Sequence, residues 1–468
     1  MNLIYQIGRF EKNAFESINF LIDNQIFEAS LSSLALREYF TKKEVNSKVI
    51  LLYPVSLLFN KRTIERSSDL PQTFKEKILK ILNSFDDREV FFSDPYLFYK
   101  LHPHSELADG FSVIHSLGEY EGVKFQATFE ELVFEIFLDM VERYIKEPFK
   151  AIYLDISSGL NIYVSALIEA GRLFLTFYKL QNFLVEDNSL AVFLYFSDPI
   201  TQPIENRIFQ LHISYKLEVK TFFSHPLPPD VNNTENAYPN FIKSLAGEDK
   251  ETKKWFTTLL APLLTKSCLF YSALKNNTPL IFYTFSYHEE EEIKSAIMKV
   301  TDFLKNKICK NYQKTPGLNI DLYRKLFLVL SLYLGIIRVL RRYEIYPKME
   351  VSISELESKF RHRENTLYKH FELLSNRRYL AQELDNNFNK EEIKNKFEKE
   401  YKLLKEFISG EILDKDIKPR NFLAHCGFER NCVEVKRDGD EVYIRYKNEP
   451  EILSRLAKIL LENERKSS

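Results

Sequence analysis

The 468-residue chain lacks most of the features that would place it in a simple class. It has no excess of either charge, with 65 Lys and Arg against 66 Asp and Glu, a formal net charge of -1. A uniformly basic, nucleic-acid-coating surface is therefore excluded, and any contact with nucleic acid must come from a local patch or a cleft. Cysteine is scarce. Cys268, Cys309, Cys426 and Cys432 form no CxxC pair and no short-spaced framework, which argues against a disulfide scaffold or a structural zinc site and for a reducing, cytoplasmic setting. The longest apolar run, LFLVLSLYLGII at 326–337, falls short of the ~20 residues of a membrane span and reads as a buried helix. The opening MNLIYQIGRFEKN lacks the charged-then-apolar layout of a secretion signal. Neither a GxGxxG loop nor a Walker loop is present, which disfavours a dinucleotide or ATP enzyme.

What is present is enough apolar sequence, 45% of the chain, to bury a large core in roughly two to four domains. NLIYQIG, KVILLYPVSLLF, REVFFSD, KAIYLDIS and LAVFLYFSD read as strands, with helical periods such as TFEELVFEIFLDMVERYIKE between them. This alternation predicts a Rossmann-like α/β domain with a mainly parallel sheet over 1–230. RIFQLHISYKLEV alternates as a half-exposed strand, and the Pro-, Asn- and Asp-rich stretch 226–239 reads as a linker. Long helical periods follow over 231–349. Residues 350–385 read as a helix-turn-helix or winged-helix-like insert with Ser354 as a cap and a second helix from Glu364, carrying Arg361, Arg363, Lys369, Arg377 and Arg378. The remainder, 386–468, holds a hairpin turning at Asp438-Gly439 and a final helix.

Two stretches carry chemistry. In AIYLDISSGLNIYV a strand ends at Asp155, and Ser157, Ser158, Gly159 and Asn161 lead into a helix whose N-terminus favours an anion. The plainer reading is a tight turn capped by serine. Gly8 and Arg9 after the first strand, and Ser56 and Asn60 after KVILLYP, converge on that loop if their strands are central. His102 and His104, flanking Pro103, read as a surface loop rather than a metal pair. The HEEEE run suits the start of a helix and a solvated face.

The second stretch is KPRNFLAHCGFE. Pro419 suits a first helical turn, Arg420 and Asn421 then stand at its positive end, and Asn421 and His425 share a face as i and i+4. Phe422 and Leu423 pack the other side, and Cys426 is most simply a buried neighbour. Arg207 before His212 falls in a strand-like segment, where the pair would face opposite ways, and Arg363 before His370 lies in the insert, where a structural use is favoured. Arg can clamp a phosphate and His can move protons, which suffices for RNA, whose 2′-hydroxyl is an internal nucleophile.

RNFLAH resembles the R-polar-x3-H motif of HEPN ribonucleases, and the α/β half with LDISSGLN resembles the CARF sensor domain. Together, in this order, they resemble the CRISPR-associated CARF–HEPN ribonucleases of type III systems. That resemblance implies a cytoplasmic homodimer or higher oligomer that cuts single-stranded RNA without metal when cyclic oligoadenylate binds, cyclic tetra-adenylate being favoured over hexa-adenylate. It implies Arg420, Asn421 and His425 as the catalytic set, and Ser157, Ser158, Gly159, Asn161 and Gly8 as activator contacts, with Ser158 standing where relatives often have His or Thr. No membrane partner is expected. The rival reading is a ligand-responsive transcriptional regulator using the 350–385 insert on DNA, for which the basic surplus is weak.

Overall fold

The structure is a computed structural model that describes residues 1–10, 15–66, 70–157, 159–184, 190–198, 208–361, 366–408 and 416–467. Ser158, Arg207, Arg363 and Glu364 lie outside the described residues. The chain forms two compact units, one of residues 1–178, 187–220 and 298–320, the other of 179–186, 221–297 and 321–468.

The first unit is built on strands β1 (Asn2–Ile7), β2 (Ile18–Ile22), β3 (Gln25–Ala29), β4 (Ser47–Pro54) and β5 (Gly110–Ile114), a separate hairpin β6 (Leu117–Tyr120) and β7 (Val123–Gln126), then β8 (Ala151–Asp155), β9 (Ala191–Ser197) and β10 (Ile208–Lys216). Eight of them form one sheet in the order β3-β2-β10-β9-β8-β1-β4-β5. The run β9-β8-β1-β4-β5 is parallel throughout, whereas β10 runs antiparallel to β9. Every residue of β1 is buried, as expected of a central parallel strand covered on both faces. The expected Rossmann-like sheet is thus present.

Asp139, on the helix Phe129–Lys146, is buried at the sheet and accepts hydrogen bonds from Tyr5 at 2.8 Å, Ser112 at 2.5 Å and Arg143 at 2.7 Å. Burial pushes its carboxyl up, but the Arg143 guanidinium outweighs this and leaves it below the ordinary value. A buried charge is tolerable only with such pairing, and here it pins β1, β5 and the helix together.

Two local expectations fail. REVFFSD is no strand but the end of the helix Phe85–Ser93, because Ser84 caps Asp87 N–H and Asp86 and Asp87 occupy the first turn. His102 and His104 are buried, not on a surface loop: Pro103 starts a short helix that folds both rings among Phe10, Phe15, Phe74 and Tyr53. Burial, and then the neighbouring His104, hold the His102 imidazole well below its ordinary pKa.

In the second unit, LFLVLSLYLGII lies within the helix Ile320–Arg342, nearly all of it buried. Gly335 is required there, since a β-carbon would fall 2.1 Å from the Leu180 carbonyl oxygen. Two of the HEEEE glutamates pair with that helix, Glu290 with Arg338 at 2.9 Å and Glu289 with Arg341. Strands β11 (Val351–Ser352), β12 (Lys402–Leu403), β13 (Val433–Asp438) and β14 (Glu441–Tyr446) make a second sheet, β11-β14-β13-β12. The Asp438↔Glu441 pairing closes the hairpin as read from sequence, with Gly439 at φ +60. The first insert helix is capped by Ser352, two residues before the expected Ser354. Because β11 pairs with β14, the 350–385 stretch and the hairpin share one sheet.

The 226–239 stretch has no regular structure up to the helix Pro239–Ala246, yet it is packed: Leu227, Ala237 and Tyr238 are buried, and the Tyr238 hydroxyl donates to the Leu227 carbonyl at 3.1 Å. His225 keeps one edge exposed, but its Nδ1 donates to Leu227 O at 2.5 Å and its Nε2 accepts from Ser267 at 3.2 Å. Desolvation pushes this imidazole down to about 4. The unfolded chain, with an ordinary His, then binds the extra proton first. The contribution of His225 to stability is complete above pH ~6.5 and is lost as pH falls toward 4, amounting to about 1 kcal/mol between pH ~7.5 and ~5.5. Denaturant titrations at the two pH values should show this slope in the native chain, and His225→Gln should remove that part of it.

Candidate functional sites

The parallel registers bring the C-terminal ends of β4, β1 and β8 side by side, with Ile7 opposite Leu52 and Tyr5 opposite Leu154. Their three following loops meet in a cavity of about 300 Å3 lined by Gly8, Arg9, Ser56, Asn60 and Gly159, with Tyr120 from β6 and Tyr163 closing it. This is the crevice outside the carboxyl ends of the strands where open α/β sheets bind ligands. The convergence of the first-strand, KVILLYP and SSGLN loops is therefore real. The cavity combines a guanidinium, short hydroxyl and amide side chains, and aromatic walls that include Phe10 and Phe59, at the lower end of the size range for small-molecule sites. Such a lining suits a nucleotide, with Arg9 for phosphate and rings for a base.

Not every expected contact faces it. The Ser157 backbone N–H donates to Asp155 at 2.7 Å, and its hydroxyl accepts from Ser197 N–H at 2.8 Å, so this residue ties β8 to β9. Asn161 opens the helix Asn161–Leu180 at an exposed position and is not part of the cavity lining. Asp155, which Ser32 also contacts, is fully buried, and desolvation raises its pKa. Tyr163 and Tyr120 escaped the sequence reading because neither sits on a loop motif. Tyr163 bonds Ser56 Oγ at 3.3 Å, and Ser116 accepts from Ser56 N–H at 2.9 Å, fixing that wall.

The second site is in the other unit. Pro419 starts a helix, Pro419–Ala424, of only six residues. Arg420, Asn421 and His425 are all exposed, while Phe422 is fully buried and anchors the turn. So short a helix has little dipole, and any grip on an anion rests on the Arg420 side chain rather than on the helix end. The helix stops because Cys426 (φ +53) and Gly427 (φ +79) are left-handed. Gly427 N–H reaches back to Phe422 O at 2.9 Å, the closing bond of a Schellman turn, with His425 as the C-cap.

Cys426 is buried, and desolvation pushes its thiol up to about 12, which removes it as a nucleophile or ligand. Its sulfur instead accepts from Asn277 Nδ2 at 3.0 Å. Asn277 also donates to Asn376 O at 2.8 Å and accepts from the Tyr368 hydroxyl at 2.6 Å. His425 Nδ1 lies 3.2 Å from Glu383 Oε2, on the helix Leu374–Leu384. Glu383 was missed from sequence: it stands 42 residues away, on the far side of the boundary drawn at 385/386, with no local motif.

Residues 2–199 match the family described as CRISPR system endoribonuclease Csx1, CARF domain, and residues 374–449 match its HEPN domain. The chain belongs to the CRISPR-associated CARF–HEPN ribonucleases. The cavity falls within the CARF match, and Glu383, Arg420, Asn421 and His425 within the HEPN match. This CARF–HEPN chain is accordingly a CRISPR ribonuclease activated by ligand binding. No curated protein matches it. Among the described residues, no helix is long and apolar enough to cross a membrane.

Gly8 gives the cavity a direct test. A β-carbon there would lie 2.3 Å from Tyr53 Cδ1, and the Tyr53 ring cannot retreat because it stacks on Tyr99 at 4.6 Å and bonds Ser105 and His102. Gly8→Ala should destabilise the first unit by about 1–3 kcal/mol. Calorimetry should show a lowered melting transition, and isothermal titration a weakened or absent response to the activating ligand.

Proposed function

We propose that the chain is a metal-independent endoribonuclease of type III CRISPR defence that cuts single-stranded RNA when its CARF cavity binds cyclic oligoadenylate, the tetra-adenylate ring being favoured over the hexa-adenylate. The observation that carries this reading is the joint exposure of Arg420, Asn421 and His425 within the residues matching the HEPN domain. Gly8 and Gly159 line the cavity and, with Arg9, are the activator contacts the geometry favours.

The chemistry needs few groups. His425 Nε2 takes the proton of a 2′-hydroxyl, O2′ attacks the adjacent phosphorus, and the P–O5′ bond breaks. The leaving O5′ receives a proton from a second imidazolium, supplied by His425 of another copy in a homodimer. The products are a 2′,3′-cyclic phosphate and a 5′-hydroxyl, and the two histidines end with protonation states exchanged. Arg420 binds the phosphate and offsets charge developing on its oxygens, and Asn421 donates a further hydrogen bond. The activator acts only through a difference in affinity for inactive and active arrangements.

The rival regulator reading finds less support. Arg361, one of the basic residues it requires, is engaged with Asp385 at 3.0 Å and with Glu357. The deciding assay incubates the full chain with end-labelled RNA, EDTA and cyclic tetra- or hexa-adenylate. Arg420→Ala and His425→Ala should each cut at least about 100-fold more slowly with the fold intact, and the native products should carry cyclic phosphate ends. Cutting at the native rate by His425→Ala would overturn the site assignment, and EDTA-sensitive cutting would overturn metal independence.

A further inference from the structure

His425 has a partner that the proposed reaction does not by itself require. Glu383 is mostly buried, with 17% of its side chain exposed against 53% for His425, so the carboxylate is the enclosed partner and the imidazole the solvent-facing one. Its Oε2 lies 3.2 Å from His425 Nδ1 and accepts a second hydrogen bond, from Asn387 Nδ2, at 3.0 Å. Asn387 also donates to the Glu383 backbone carbonyl at 3.0 Å. Asn387 lies in the π-turn Asp385–Asn389 directly after Leu384, and its side chain reaches back along the helix to make both bonds. Asn387, Glu383 and His425 thus form a chain in which a buried amide holds a carboxylate and the carboxylate holds an imidazole.

The chemical consequence follows from the inventory of donors. An ionised carboxylate is acceptor-only, so a hydrogen bond to it requires the proton of neutral His425 to sit on Nδ1. Nε2 then carries the lone pair, and among the described residues it meets no other partner. In free histidine the proton prefers Nε2, which would leave the lone pair turned toward Glu383 and useless as a base. The carboxylate also faces the positive charge that appears on the ring once the 2′-hydroxyl proton has been taken.

We infer that Glu383, braced by Asn387, is a positioning residue that fixes the Nδ1–H tautomer and the orientation of His425 for proton transfer to Nε2. This rests on the proposed role of His425 in RNA cleavage. It makes the site a histidine–carboxylate pair rather than the isolated Arg and His of the RNFLAH segment.

The test uses the full chain with ring-15N-labelled histidine, single-stranded RNA and cyclic tetra-adenylate. Glu383→Ala should lower kcat about 10- to 100-fold with KM little changed, and should move the neutral His425 signals toward the Nε2–H form. Glu383→Gln, whose amide oxygen can still accept from Nδ1–H, should restore part of the rate, and Asn387→Ala should show a milder version of the Ala defect. A native kcat in Glu383→Ala, or a His425 tautomer that does not move, would overturn the inference. So would a rate loss that follows only a fall in melting temperature and is not relieved by Glu383→Gln. Failure of the underlying reading looks different: His425→Ala would then cut at the native rate whatever Glu383 does. The tautomer is read without turnover, so that arm stands whichever activator works, and it can be read in the Gln and Asn387 variants should Glu383→Ala fold poorly.

Discussion

The buried amide of Asn277 is the constraint on which the ribonuclease site depends. Its oxygen is engaged by Tyr368 and its nitrogen by the Asn376 carbonyl and the Cys426 sulfur, at a backbone φ of +58. Asn376 in turn donates to the Leu274 carbonyl at 2.8 Å, closing a network among the end of the helix Lys250–Lys275, the helix that bears Glu383 and the turn after His425. Each of these groups is buried, so losing one partner would strand another at about 1–3 kcal/mol. A left-handed Cys costs on the order of 1 kcal/mol, and the Schellman bond with the Asn277 contact holds it there. His425, one residue earlier, therefore caps its helix at a fixed place relative to Glu383.

Glycine has a matching part beside Cys426. A β-carbon at Gly427 would stand 2.6 Å from the Tyr446 hydroxyl and 3.1 Å from Thr278 Cβ, at a φ that already disfavours one. The hairpin strand β14, which carries Tyr446, thus packs directly under the turn. The same closeness governs the CARF cavity, where Gly8 lies against the Tyr53 ring. In both sites the functional segment adjoins a glycine that must lack a side chain for a packed aromatic to pass.

The parts of this molecule that were legible in its sequence are those whose signal is local. β1, β4 and β8 are apolar on both faces, and that alone marks central parallel strands. The Asp-Gly hairpin and the proline-started turn at 419 are equally local. REVFFSD misled because its paired phenylalanines look strand-like, while the deciding cap, Ser84, lies outside the run. His102 and His104 misled because Pro103 reads as loop punctuation, and nothing in eight letters shows that four aromatic rings from distant segments will pack around them. Ser157 looked like a ligand contact, yet a strand-end serine next to a parallel neighbour is as readily consumed by the sheet, here through Ser197. Glu383 was illegible in principle, since its meaning lies in a contact across 42 residues that only the folded chain makes.

The two sites also differ in how far their residues are exposed. Phe10, Phe59 and Tyr163 in the lining of the CARF cavity are buried rings, while Arg420 and His425 stand in water. A guanidinium and a phosphate at contact distance attract by about 1 kcal/mol in bulk water and several times more where water is excluded. Exposed as they are, Arg420 and His425 meet no opposing wall among the described residues, and of the two His425 has orienting contacts behind it, through Glu383 and Asn387. A second copy presenting the same surface would supply that wall, a second imidazole and the drier cleft in which the Arg420 charge acts at full strength. On that argument the ligand need not remodel His425, which Glu383 and the turn at Cys426 already place. It need only change how two such surfaces meet, a shift between discrete packings rather than a rebuilding of the site.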